Sequence, residues 1–163
     1  LPVTFVYSDD DLPPFEDYAL LDAPRGRTYR FFRGESLFPF GHGLSYTRFD
    51  YGNLRIEPDT IVAGEAAIVS VDVTNAGDRE GDEVVQLYVS YPKSAVTRPE
   101  QELKGFARVR IQPGETRTVT LTLPACSLAY WDGGWVVEPG PVTVMVGASA
   151  RDVRLGGTLA IER

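Results

Sequence analysis

Thr116, Thr118, Thr120 and Thr122 alternate without interruption with Val119, Leu121 and Leu123. Such a run places hydroxyls on one face of an extended strand and apolar side chains on the other, a period that no helix satisfies. The same two-residue beat recurs through most of the chain. Val69, Val71 and Val73 share a face within 66–74, Val85, Leu87 and Val89 within 83–90, and Val142, Val144 and Val146 within 140–148. With 51–56, 102–111 and 153–161 this makes seven strands, separated by turn-forming Gly, Asn and Pro. In 102–111 the apolar parity changes between Phe106 and Val109, which predicts a bulge or bend near Gly105. Seven short strands without a sustained helical period predict an all-β chain, an immunoglobulin-like antiparallel β-sandwich with an irregular N-terminal extension.

A length of 163 residues, 43% of them hydrophobic, suits one such domain and an extension. The formal charge of -7 disfavours polyanionic partners, so neither nucleic acid nor an anionic membrane surface is expected. No run of 18 apolar residues is present, and the first residues lack the basic-then-apolar layout of a secretory signal. Localisation therefore stays open. A single cysteine, Cys126, leaves no internal disulfide and no cysteine-based zinc site; it is expected to pack as a small apolar group. The strand-like opening Leu1-Pro2-Val3-Thr4-Phe5-Val6 has no initiator Met, and we expect it to continue a longer polypeptide.

The first 48 residues obey a different rule. Pro13 and Pro14 stop any strand, so 8–15 reads as a loop, 16–30 as irregular chain, and 29–32 as a short extended piece. The run Ser36-Leu37-Phe38-Pro39-Phe40-Gly41-His42-Gly43-Leu44-Ser45-Tyr46-Thr47 reads as a clasp, rich in aromatics and hinged by Pro and Gly. Ordering backbone costs about 1–2 kcal/mol per residue, and each buried aromatic returns about 1.5–3 kcal/mol. Tyr29, Phe31, Phe38, Phe40, Leu44 and Tyr46 are accordingly expected to pack against another surface.

Each group with potential chemistry also has a plainer reading. Asp9-Asp10-Asp11 and the set Asp78, Glu80, Asp82 and Glu83 lack cation-site spacing and read as polar connections. His42, the only histidine, sits between two glycines without a partner to orient it, and reads as a packing residue. Lys104 reads as a surface charge. Tyr130, Trp131 and Trp135 flank an Asp132-Gly133-Gly134 turn; they read as core or interface residues, with carbohydrate contact as the alternative. No catalytic, cofactor-binding or metal-binding residue is assigned.

The clasp sequence, preceded by Gly34-Glu35, resembles the linker that closes the catalytic portion of glycoside hydrolase family 3 enzymes, the β-glucosidases and β-xylosidases. Leu1-Pro2-Val3-Thr4-Phe5 resembles the last strand of that family's α/β sandwich domain, and Gly26-Arg27-Thr28-Tyr29-Arg30 the approach to the linker. Asn75-Ala76-Gly77, Gly81-Asp82-Glu83-Val84-Val85-Gln86-Leu87-Tyr88-Val89, Arg98-Pro99, Glu102-Leu103-Lys104-Gly105-Phe106, Gly147-Ala148-Ser149 and Asp152-Val153-Arg154-Leu155 are similar to its C-terminal fibronectin type III-like domain. The resemblance implies a remnant of the α/β sandwich domain and linker over 1–48 and a fibronectin type III-like domain over 49–163. It implies as partners the catalytic barrel and α/β sandwich domains of the same enzyme, with a β-linked oligosaccharide or glycoside as the substrate of the whole. Retaining glycosidases place two carboxyl groups about 5–5.5 Å apart. In this family those groups lie in earlier domains, so the resemblance implies a noncatalytic module with no turnover of its own.

Overall fold

The computed structural model describes residues 1–18 and 26–163. The extension contributes β1 (Phe5–Val6), the one-turn helix α1 (Thr28–Phe31) and β2 (Ser36–Phe38). The remainder contributes β3 (Phe49–Glu57), β4 (Thr60–Val62), β5 (Ala66–Asn75), β6 (Gly81–Ser90), β7 (Glu102–Ile111) and β8 (Thr116–Pro124). It continues with β9 (Tyr130–Trp131), β10 (Trp135–Val136), β11 (Gly140–Ser149) and β12 (Asp152–Glu162). All seven expected strands are present.

Alternation decides which side of each strand is dry. A three-stranded sheet, ordered β3-β5-β8, faces a five-stranded sheet ordered β4-β12-β11-β6-β7. The pairings are antiparallel except that the short β4 joins β12 in parallel. Val69, Val71 and Val73 point inward from the first sheet, and Val85, Leu87, Val89, Val142, Val144 and Val146 from the second; none is more than 2% exposed. Each such side chain contributes about 1.5–3 kcal/mol by leaving water. The expected bulge falls where Leu87 opposes Gly105 but Tyr88 opposes Leu103, which makes Lys104 the extra residue.

In β6, residues 85–89 are all buried. The inward face is covered by the opposite sheet, and the outward face, through Gln86 and Tyr88, by the N-terminal extension. The surface that the aromatic extension needed is thus supplied in part by the sandwich itself.

Several expectations are corrected. Residues 29–32 are not extended: α1 closes with Phe32 N donating to Thr28 O at 2.9 Å. Thr28 enters it with φ of 59°, a conformation unfavourable for a β-branched residue and one that sequence pattern does not announce. The opening strand shortens to β1, which pairs with β2. The acidic loop closes into a short 3₁₀ turn at Asp9–Asp11, where Ser8 accepts from Asp10 N and Asp11 accepts from Ser8 N. Cys126 is exposed rather than packed, because the 3₁₀ turn Ala125–Leu128 turns Ala125 and Leu128 inward instead. Part of the irregular chain expected over 16–30 lies outside the described residues.

Candidate functional site

The outer face of β6 and β7 is where the extension lands, and polar groups fix the landing. Gln86 Nε2 donates to Gly41 O at 3.1 Å and to Ala148 O at 2.5 Å, while Tyr88 donates its hydroxyl to Gln86 Oε1 at 2.6 Å. Ala150 N donates to Phe40 O, and Arg151 to the carbonyls of Phe32 and Gly34. Leu103 N donates to the Tyr29 hydroxyl at 3.0 Å. Above these bonds, the Tyr29 ring stacks on Phe40 at 4.1 Å and meets Tyr88 edge-on at 6.0 Å.

Charge closes the other end of the contact. Glu102 accepts from Arg30 of α1 and pairs with Lys104 at 3.2 Å, and Arg33 pairs with Glu100. Lys104 is therefore no free surface charge. Its side chain is 13% exposed, since the bulge turns it towards Glu102. Burial lowers its proton affinity, partly offset by Glu102. Arg98 lies 3.6 Å above the Tyr91 ring, 5.3 Å from Tyr130, and donates to Leu128 O at 2.6 Å. Arg98, Glu102 and Lys104, residues that carry the family resemblance, are thus occupied with structure.

The six expected packing residues divide. Tyr29, Phe31 and Phe40 are half-buried, Tyr29 and Phe40 against the sandwich. Phe38 is 41% exposed, meets Phe5 edge-on and lies 5.2 Å from the His42 ring. Leu44 and Tyr46 are 93% and 94% exposed. Leu44 borders a groove of about 490 Å³ shared with Leu1, Val84, Leu103 and Phe106, and Phe106 is itself 65% exposed. Leu44 and Phe106 thus leave apolar surface exposed along one groove beside the clasp.

Trp131 and Trp135 face each other across the β9–β10 hairpin, ring centroids 5.5 Å apart and planes at 81°. Both are largely exposed, so of the expected core or interface role the core half fails for them, whereas Tyr130 is half-buried beside Arg98. Perpendicular rings present two separate faces rather than one flat platform.

The acids do not converge. Asp82 binds Arg108 and Arg110, Glu80 accepts from Gln112, and Glu83 accepts from Tyr51. Among the described residues no group of three or more His, Cys, Asp and Glu could hold a metal ion.

Gln86 and Tyr88 were not singled out from sequence as site residues. The available signal was a large aromatic at an outward position of β6, which one-sided alternation does not require.

The comparisons follow this anatomy. A fibronectin type III-like domain family matches residues 83–150. The chain is 47% identical over 124 residues to thermostable β-glucosidase B of Acetivibrio thermocellus, covering 74% of this chain and 16% of that protein. It is 39% identical over 155 residues to xylan 1,4-β-xylosidase of Xylanibacter ruminicola, covering 93% and 17%. The structure of β-glucosidase 3B from Thermotoga neapolitana in complex with α-D-glucose superposes with a TM-score of 0.86 at 37% identity, over 100% of this chain and 24% of that one. The chain spans roughly a fifth of the length of the curated relatives it matches. It belongs to glycoside hydrolase family 3, as the C-terminal part that carries the fibronectin type III-like domain.

Proposed function

We propose that this chain is the noncatalytic C-terminal module of a family 3 glycoside hydrolase that releases terminal β-linked glucose or xylose with retention. In this reading residues 1–48 finish the α/β sandwich domain and the linker, and residues 49–163 form the module. The module packs on the catalytic domains and stabilises them. One observation carries the reading: the extension is fastened to the sandwich at Tyr29, Phe40 and Gly41, yet displays Leu44, which shares a groove with Phe106, and Tyr46 almost entirely to solvent. Chain this firmly anchored has no internal reason to hold two large apolar groups in water.

The test uses the complete enzyme that carries this chain. Deleting the clasp would also strip Tyr29 and Phe40 from the sandwich, so the cleaner variant is Leu44→Ser with Tyr46→Ser. Burial of about 1.5–3 kcal/mol per side chain predicts a Tm lower by about 2–4 °C in an enzyme roughly five times the length of this chain, with kcat per folded molecule retained. An unchanged Tm in the complete enzyme would refute docking through this surface.

A second reading, attachment to polysaccharide, rests on the exposure of Trp131 and Trp135, 65% and 76%. It predicts that the chain is retained on insoluble cellulose or xylan and that Trp135→Ala releases it. Equal retention of both forms, or of neither, removes this reading.

A further inference from the structure

The β9–β10 hairpin is too short to hold its own shape, since a two-stranded ribbon of this length is marginal in water. The sandwich braces it at both ends. Arg98 lies 3.6 Å above the Tyr91 ring and 5.3 Å from Tyr130, and it donates to Leu128 O at 2.6 Å just before the hairpin begins. Past its end, Glu138 accepts from Ser94 Oγ at 2.6 Å and from Ala95 N at 2.7 Å. Both braces come from one loop, the connection between β6 and β7. Trp131 and Trp135 are direct cross-strand partners and so share one face of the ribbon, while Tyr130 and Val136 share the other. The half-buried face carries Tyr130 beside Arg98, and the tryptophan face is left in water.

We propose, on the footing of the polysaccharide reading, that the corner of Trp131 and Trp135 takes a single twisted chain of neutral xylan and not the flat face of cellulose, with Arg98 and Glu138 as positioning residues. A tryptophan on loose chain would be ordered only on binding, whereas a braced one is ordered beforehand. Sugar rings of β-linked glucose and xylose carry hydroxyls around the rim and C–H groups on both faces, so each stacks flat on an indole. In a flat cellulose chain successive rings turn over by a half-turn and keep their faces parallel, which calls for coplanar indoles. Xylan lacks the exocyclic hydroxymethyl group and the hydrogen bond that helps to flatten the chain, so its successive faces swing out of parallel. The two indoles meet at 81° with centroids 5.5 Å apart, close to the length of one sugar unit. That corner matches the twisted chain and mismatches the flat one.

Charge narrows the ligand further. Exposed Asp132 stands on the turn between the two rings, where its carboxylate can accept from rim hydroxyls, and the whole chain carries a formal charge of -7. Neutral arabinoxylan meets no repulsion there, whereas a xylan bearing uronic acids does.

The chain has only these two tryptophans, so its tryptophan emission reports the corner alone. Titration with a neutral xylo-oligosaccharide should shift that emission to saturation, and insoluble arabinoxylan should retain the chain where insoluble cellulose does not. Trp131→Ala and Trp135→Ala should each weaken xylan binding by about tenfold. Glucuronoxylan should bind more weakly at low salt, and the gap should close as salt is added. Glu138→Ala leaves both indoles in place; it should lower the anisotropy of their emission and weaken xylan binding severalfold, and Glu138→Gln, which keeps an acceptor, should recover most of the loss. Retention on cellulose as strong as on xylan, abolished by Trp135→Ala, would keep the polysaccharide contact and overturn the choice of chain. Retention on neither would remove both. Xylan binding and anisotropy unchanged in Glu138→Ala would overturn the brace.

Discussion

Asn75→Ala is expected to destabilise the chain by about 3–5 kcal/mol, a large share of a typical domain's 5–15 kcal/mol. Asn75 is fully buried, and its amide serves four partners. Its Oδ1 accepts from the Thr47 hydroxyl at 2.6 Å and from Gly77 N at 3.1 Å. Its Nδ2 donates to Arg79 O at 2.7 Å and to Ile111 O at 3.0 Å. The amide thus ties the end of the clasp, the β5–β6 turn and the end of β7 to one point. Alanine leaves donors and acceptors unpaired in a place with little room for solvent, and each costs about 1–3 kcal/mol before relaxation. Chemical denaturation should show a lower midpoint with an unchanged slope, because the unfolded surface is the same.

Asp at this position separates shape from hydrogen bonding. It matches Asn in volume but, ionised, cannot donate to the Arg79 and Ile111 carbonyls and faces them with negative charge. Asn75→Asp should be at least as damaging as alanine at neutral pH and recover partly in acid. Thr74→Ala, one residue away, removes an exposed bond to Thr116 and should cost under about 0.5 kcal/mol. A mild effect of Asn75→Ala, close to that of the Thr74 control, would contradict this account.

The sandwich was legible because its period is local. Thr116 through Leu123 state their burial in their own order, and so do Val69, Val71 and Val73. Parity also pointed to a bulge near Gly105, although the extra residue is Lys104 and the beat from Gly105 to Ile111 is unbroken. What could not be read depends on residues far apart in sequence. Gln86 and Tyr88 look like solvent-facing positions until Tyr29, Phe40 and Gly41 arrive from more than 40 positions away. Lys104 looks like a surface charge until Glu102 and Arg30 close around it. The clasp was legible as chain in need of a partner, because its aromatics exceed what loose chain can hold. Which of them the sandwich satisfies, Tyr29 and Phe40, and which it leaves in water, Leu44 and Tyr46, required the backbone path. For the hairpin of Trp131 and Trp135, bulk suggested core or interface; a two-residue ladder offers no layer beneath it, so the core is ruled out.

The same landing supplies the second large effect. Gly41 has φ of 82°, and a Cβ built there would lie 2.0 Å from Gln86 Oε1. Gln86 cannot step aside cheaply, because Gly41 O, Ala148 O and the Tyr88 hydroxyl all hold its amide. Gly41→Ala therefore combines left-handed strain with a clash against a locked group, together about 2–4 kcal/mol. Gly43, two residues on, has open space at the same position and no positive φ, so Gly43→Ala should be nearly silent. The loss at Gly41 should fall on the clasp more than on the sandwich, whose core lies on the other face of β6. Limited proteolysis should thus cut near residues 35–47 before the sandwich unfolds. Gln86→Ala alone should also loosen the clasp, by freeing the Gly41 and Ala148 carbonyls and the Tyr88 hydroxyl. Combined with Gly41→Ala, it should cost less than the sum of the two, because the clash disappears with the amide. Strict additivity would mean that Gly41 and Gln86 do not meet as described, and the position from which Leu44 and Tyr46 project would lose its anchor.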